Sequence, residues 1–334
     1  MARIFGTGFE NQDLSMFSQA PSSKLVSSDE LGMSGDYCLK MDLINAYAQI
    51  MLPQQKTELF IAFKFRPFHG IGKVNLIIGF YDYASDLTGG LIINSSSKLQ
   101  FCLSGSTGIT SGSKTILPNV TYTIEIHYIP LNTGGTFIVK VDGVEDINYT
   151  GDTTYGLENC NSIRFGYYYP STIYTYSYFD DIIIDDADWI GLGHVFVGGA
   201  ITGAGSSTQW TSSTAATNYA NVDEIPYSDT DYNSTNTTDA LDLYTLNDCL
   251  NGLDVASVSG VYLNIRTSYE GGPTPTGIQP ALKSDVTTGY AATISLSASF
   301  FNQQKIFEIN PNTAATFTTS DFTNGIEVGV KAVV

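Results

Sequence analysis

The chain has 334 residues, 33 of them acidic and 15 basic, for a formal net charge of −18. It is long enough for two domains, and with 43% hydrophobic residues it can bury a core in each. An acidic surface of this kind repels phosphate backbones and anionic headgroups, which argues against nucleic acid and membrane as partners.

No run of about 18 apolar residues is present, and the opening "MARIFGTGFENQDLSMF" lacks the apolar stretch of a signal peptide. From there the polar and apolar residues alternate. "ELFIAFKFRPF" sets Phe63 and Phe65 on one face and Lys64 and Arg66 on the other. "VNLIIGFYDYA", "GGLIINSSSKLQFCLSG", "VTYTIEIHYIPL" and "TFIVKVDGVED" follow the same period, with Gly, Asn, Asp or Pro between them. No segment carries a helical stripe over more than two turns. The pattern predicts an all-β sandwich or jelly roll. One hairpin is expected across Asn132-Thr133-Gly134-Gly135 and another at Asp142-Gly143.

The run "FGYYYPSTIYTYSYFDDIIIDDADW" follows. Tyr167, Tyr169, Tyr174, Tyr176 and Tyr178 are candidates for a glycan-stacking surface or a protein interface, or they line a core. Strict alternation places Asp180 with Ile182, Ile184 and Asp186 on one face, and Asp181 with Ile183 and Asp185 on the other. The same-face carboxylates are then roughly 13 or 20 Å apart, too far for the pairs at about 5 to 9.5 Å that glycosidases use. The expectation is three buried isoleucines with the aspartates at the wet strand ends. Asp185, Asp186 and Asp188 are candidate calcium ligands, since oxygen-rich loops suit that ion.

Residues 191–239 read as a strand, His194 to Ile201, followed by an extended polar arm. Trp210, Tyr219, Ile225, Tyr227 and Tyr232 are its candidate contact residues, because a segment of this composition gains order by lying against something. Strand patterns return at "SGVYLNIRTSY", "YAATISLSASF", "KIFEINP" and "GIEVGVKAVV". The expected division is therefore 1–190, 191–239 and 240–334.

The chemistry-bearing residues are sparse. Cys38, Cys102, Cys160 and Cys249 form no metal motif and read as buried free thiols. His69, His127 and His194 have no neighbouring partners in sequence, and His127 reads as a satisfied sheet-face residue. There is no GxSxG, phosphate loop or HExxH. These residues predict neither a cofactor nor an enzymatic activity.

The order "GFE", then "TYTIEIHY…GGTFIVKVDG", then "YFDDIIIDD" resembles concanavalin A-like, laminin-G-like jelly rolls over roughly residues 4–186. In that family an opening strand pairs with the closing "DDI" strand. The ExDxE strand of its glucanase members has no counterpart here. The later stretches "GAGSSTQWTSSTAATNYANVDEIPYSDTDYNSTNTTDALDLYTLND" and "PNTAATFTTSDFTNGIEVGVKAV" look like segments of tailed-bacteriophage structural proteins. Together these resemblances imply a jelly roll, an extended arm and a second, smaller β-domain. They also imply a non-enzymatic virion component, as a capsid decoration, head-fibre or tail-associated protein. It would be assembled in the host cytoplasm, with other virion proteins and further copies of itself as partners. A carbohydrate-binding adhesion module is the alternative, with glycans as partners. A glycoside hydrolase or lyase of jelly-roll fold is the third class.

Overall fold

A computed structural model describes residues 3–20, 23–27, 33–41, 46–68, 75–103, 107–156, 160–167, 177–195, 201–214, 217–246, 250, 255–272, 275–323 and 325–334. The chain divides into two compact units, Met1–Phe196 and Val197–Val334. Both are built almost wholly of antiparallel strands.

The first unit begins with β1 (Arg3–Thr7), β2 (Ser23–Ser27), β3 (Tyr37–Met41), β4 (Ala48–Lys56) and β5 (Leu59–Pro67). It continues with β6 (Asn75–Tyr81), β7 (Leu87–Ile93), β8 (Lys98–Leu103), β9 (Thr107–Thr115) and β10 (Tyr122–Ile129). β11 (Gly135–Val141), β12 (Val144–Gly151), β13 (Cys160–Tyr167) and β14 (Ser177–Asp185) complete it. An eight-stranded sheet runs β12-β11-β10-β5-β14-β3-β2, with β1 also paired to β14. A six-stranded sheet runs β4-β13-β6-β7-β8-β9. The opening strand thus lies on the closing one, with Arg3 opposite Asp185 and Thr7 opposite Ile182.

The two sheets enclose one core. Phe63 and Phe65 of β5, Tyr128 of β10, Phe137 of β11, Phe165 of β13 and Phe179 of β14 all point into it. Their rings meet edge-on or stacked, as in Phe63–Phe165 at 5.4 Å and Phe101–Phe137 at 4.2 Å. Each fully buried side chain of this size stabilises the sandwich by roughly 1.5–3 kcal/mol, and favourable ring geometry adds about 0.5–1.5 kcal/mol per pair. Both expected hairpins form. Asp142 (φ 54°) and Gly143 (φ 80°) take the left-handed conformations of a two-residue turn. Cys38, Cys102 and Cys160 are buried free thiols, while Cys249 and His69 lie outside the described residues.

The second unit contains β15 (Ile201–Thr208), β16 (Thr211–Ser212), β17 (Asn233–Ser234), β18 (Leu241–Leu246) and β19 (Val261–Thr267). β20 (Gly277–Ser284), β21 (Thr287–Tyr290), β22 (Ile294–Ser295), β23 (Phe301–Phe307) and β24 (Ile326–Val333) follow. Its main sheet runs β15-β18-β24-β20-β21, with β22 also on β20, and β16-β17 and β19-β23 form two ribbons. Leu282, Phe307, Phe317, Ile326 and Val328 make a much smaller core.

Two departures from the sequence pattern have clear causes. The strand expected at His194 to Ile201 is not one at its start: His194 and Val195 are loop, and β15 begins at Ile201. β20 carries a proline, which lacks a ladder donor and hides a strand from pattern reading. Pro280 sits where the neighbouring edge is broken, because β22 pairs with Gly277 and Ile278 and β21 only from Ala281 onward.

Candidate functional site

The site is set by a bulge. Along β14, Asp180 pairs with Lys64, but the next matched pair is Ile183 with Ala62. One extra residue is therefore accommodated, and Asp181 takes a left-handed φ of 47° to do so. The bulge changes the parity of the strand. Phe179 faces the core before it, and Ile182 and Ile184 face the core after it. Uninterrupted alternation would have pointed Asp181 and Asp185 inward alongside Phe179.

This corrects two expectations. Asp180 and Asp181 do not face opposite ways, since both carboxylates reach Ser34. Nor do they lie at wet strand ends, since Asp180, Asp181 and Asp185 are buried. The Ser34 amide donates to Asp180 Oδ2 at 2.9 Å, and the Ser34 hydroxyl donates to Asp181 Oδ2. The loop that carries Ser34 is pinned on its far side by Glu10, whose carboxylate accepts from the amides of Asp36 at 2.9 Å and Tyr37 at 3.1 Å.

Three further donors converge on the same point. Lys64 projects from the outer face of β5 and lies 3.3 Å from Asp181 Oδ2, bonded also to the Ser34 hydroxyl. His194 Nδ1 is 2.9 Å from Asp181 Oδ2, from Ser34 Oγ and from Lys64 Nζ. The Val195 amide donates to Asp181 Oδ1 at 2.7 Å. His194 has a side chain 59% exposed, while that of Asp181 is 2% exposed. The cluster is therefore a buried carboxylate that opens to solvent through an imidazole.

The two carboxyls titrate in opposite directions. Burial pushes Asp180 up to about 8, helped by the charge of Asp181. Burial alone would also raise Asp181. The hydrogen bonds from His194, Ser34 and the Val195 amide, with the Lys64 charge, outweigh it and hold Asp181 below the usual carboxylate range. Adjacent groups whose pKa values are driven apart are a common arrangement for acid–base chemistry.

His194 belongs to a strap, residues 186–195, that crosses the outer face of the eight-stranded sheet. Trp189 meets Phe60 at 5.7 Å and His127 at 5.8 Å, and Lys140 Nζ sits 3.5 Å above its ring. The Gly191 amide donates to the buried Glu125 at 3.0 Å. His127 is stacked on Phe60 at 4.3 Å and lies 2.7 Å from Glu58, so it is a satisfied sheet-face residue. At the strap's end Val195 lies so close to Gly8 that a Cβ there would stand 2.0 Å from the Val195 carbonyl oxygen.

The calcium candidates have separate engagements. Asp185 pairs with Arg3 at 3.2 Å, Asp186 with Lys56 at 2.6 Å, and Asp188 accepts from the Trp189 amide. Among the described residues no three acidic, histidine or cysteine side chains could together hold a metal. Of the tyrosines, Tyr178 is buried on β14. Tyr167 ends β13 with its side chain outside the described residues, where Tyr169, Tyr174 and Tyr176 lie altogether.

The arm has partners within its own unit. Trp210 Nε1 donates to the Ala240 carbonyl at 3.1 Å. Buried Asp242 accepts from the amides of Gln209 and Trp210, from Asn218 Nδ2 and from the Tyr244 hydroxyl. Asn221 Nδ2 donates to the Tyr232 carbonyl at 3.1 Å, and the Tyr219 carbonyl accepts from the Val222 amide at 3.2 Å. Ile225 and Tyr227 are exposed, and Arg266 lies 4.1 Å above the Tyr227 ring.

Sequence reasoning passed over Ser34, Lys64 and His194 as a group. Their separations along the chain are 30 and 130 residues, so no local spacing could reveal them. The one signal was the doublet Asp180-Asp181 within an otherwise apolar strand.

No family model matches the chain, and no curated protein matches it. Among solved structures, an endo-β-1,4-glucuronan lyase from the fungus Trichoderma reesei is 13% identical, over 55% of this chain and 96% of its own, with a TM-score of 0.44. The alginate lyase Aly36B is 14% identical over 58% of this chain and 95% of its own, with a TM-score of 0.38. A carbohydrate-binding module from Bacillus subtilis is 10% identical over 50% of this chain and 94% of its own, with a TM-score of 0.34. Sialidases stand beside these, and none of the structures named is a virion protein. The expectations of a non-enzymatic virion structural component and of a chain without enzymatic activity are both corrected by this set. At such scores the likeness assigns no role to any residue, so the functional reading rests on the site.

Proposed function

We propose that the first unit is a carbohydrate-active domain in which His194, backed by Asp181, performs a general acid–base step on a sugar substrate. The observation that carries the reading is an imidazole 59% exposed, with Nδ1 held 2.9 Å from a buried carboxylate. An ionised carboxylate behind one ring nitrogen orients the imidazole, leaving Nε2 to exchange a proton with substrate. Lys64 and Ser34 position the ring. They also give Nδ1 a second set of partners, so a proton can be redistributed at that atom as the other nitrogen works.

The substrate class follows from the groups around the opening. Asp36 and Gly35 are exposed beside His194's partner Ser34, and carboxylate and imidazole rims suit hydroxyl-rich ligands. A net charge of −18 disfavours a polyanion, so an essentially neutral glycan fits better than a polyuronate. The test is release of reducing ends from a panel of neutral polysaccharides. His194→Ala is expected to lower the rate by about 10²–10⁴-fold, and Asp181→Asn to lower it while leaving the chain folded. No release by the unaltered protein, or an unchanged rate in His194→Ala, would overturn the reading.

A further inference from the structure

The outer face of the six-stranded sheet presents a different kind of group. The chain has four arginines. Arg3 and Arg266 each meet a carboxylate, at 3.2 and 2.5 Å. Arg164 of β13 does not. It lies 4.0 Å from the Tyr81 ring and 4.8 Å from the Tyr47 ring, and its Nε donates to Gln49 Oε1 at 2.7 Å. Among the described residues no carboxylate is bonded to it, although acidic residues outnumber basic ones by 33 to 15.

The surroundings hold this guanidinium in place. Gln49 and Gly79 flank Arg164 in the ladder, on β4 and β6. Gly79 has no side chain, and a Cβ there would stand 2.7 Å from the Tyr81 ring. The glycine thus leaves the space that the ring occupies. Gln49 is buried, with its Nε2 on Met51 Sδ at 3.0 Å, which turns Oε1 toward Arg164. The Tyr47 hydroxyl donates to Gln19 Oε1 at 2.5 Å, fixing the second ring.

We infer that Arg164 is the anchor of a second sugar-binding point, one that takes a single carboxylate on an otherwise neutral sugar. With Nε engaged by Gln49, the terminal nitrogens Nη1 and Nη2 present their N–H groups in the fork that matches a carboxylate. The side chain is ordered before the ligand arrives, which removes much of the entropic cost of binding it. The long-range field of the chain repels anions, so recognition here is short-range and favours one acid group over a polyanion. Beside the fork, the half-buried ring of Tyr47 and the amide of Gln19 offer a stacking edge and a hydrogen-bonding group to the sugar body. The choice of a sugar rests on the carbohydrate-active reading above, but the site is on the other sheet from His194 and does not depend on the acid–base step.

Calorimetric titration of the full chain with glucuronate, glucose, acetate and a glutamate-bearing tripeptide tests this. Saturable binding of glucuronate is expected, tighter than that of acetate or the tripeptide, with none for glucose. Arg164→Lys keeps the charge but loses the fork, and is expected to weaken glucuronate at least about tenfold. Should that variant fail to fold, Tyr47→Leu, which frees the guanidinium without removing it, is expected to weaken binding several-fold. His194→Ala is expected to bind glucuronate like the unaltered chain, which separates failure here from failure of the acid–base site. Equal affinity for glucuronate and glucose, a preference for the tripeptide, or undiminished binding in Arg164→Lys overturns the inference.

Discussion

Each unit buries an aspartate that gathers donors, and the two hubs differ in what they gather. Asp242 accepts from two backbone amides, a side-chain amide and a phenol. None of these gives up a proton near neutrality, and burial raises the Tyr244 phenol further. Asp181 accepts from an ammonium, an imidazole and a hydroxyl as well as from the Val195 amide. The Asp242 hub is sealed, while the Asp181 hub opens through His194. Equal burial thus gathers backbone and amide donors in one place and charged or ionisable side chains in the other.

The largest effect is expected at the sealed hub. Asp242→Ala takes the acceptor from four donors, of which the Asn218 amide and the Tyr244 hydroxyl are buried, and with about 1–3 kcal/mol for each buried group left unpaired the second unit should lose roughly 3–5 kcal/mol. Calorimetry should show its transition moving while that of the first unit stays in place. A loss below about 1 kcal/mol would show that the arm is held by other means.

The open hub should be sensitive to pH. The carboxyl of Asp180 is raised from 3.8 to about 8 on folding, so the folded state keeps a proton that the unfolded chain has released. That contribution is fully present below about pH 4 and is lost as pH rises toward 8. Its slope is at most about 1.4 kcal/mol per pH unit. Asp181, lowered on folding, acts in the opposite sense, and its contribution disappears as pH falls below the ordinary carboxylate range. Asp180→Asn should therefore flatten the decline in stability of the first unit between about pH 4 and 8. Denaturant melts of both proteins across that window decide it, and parallel curves would rule out a neutral Asp180.

Trp189→Ala removes the ring held between Phe60, His127 and Lys140, at an expected cost of about 1–2 kcal/mol. The Gly191 amide should then exchange faster with solvent, and unchanged protection would mean that the strap is held by Asp181 and Glu125 alone. The smallest change is Trp210→Phe. It deletes the bond to the Ala240 carbonyl and should cost the second unit about 0.5–1.5 kcal/mol, read as a small fall in its unfolding midpoint.

Local features were the legible ones. The faces of β5, the Asp142-Gly143 turn and the β10–β11 hairpin each follow from a few neighbouring residues. The bulge did not announce itself, because aspartate tolerates a left-handed φ without the glycine that usually marks one. With the bulge missed, Asp180 was grouped with Ile182 and Ile184 rather than with Asp181, and the meeting of the two carboxylates at Ser34 was lost. The arm differs in another way. Its order was expected from lying against something else, and within its own unit Asn218, Asn221, Asn233 and Asp242 hold it with side-chain bonds to backbone and to one another.

The bulge is one residue added to an otherwise regular strand. Deleting Asp181 would restore plain alternation with Phe179, Ile182 and Ile184 still facing the core and Ile183 and Asp185 still outward, so the salt bridge of Asp185 to Arg3 and the pairing of β1 would stay in register. What the deletion removes is the carboxylate on which Ser34, Lys64 and His194 converge. Relatives of this domain can therefore lose the extra residue without losing the sandwich, and those that lack it should lack the cluster as well.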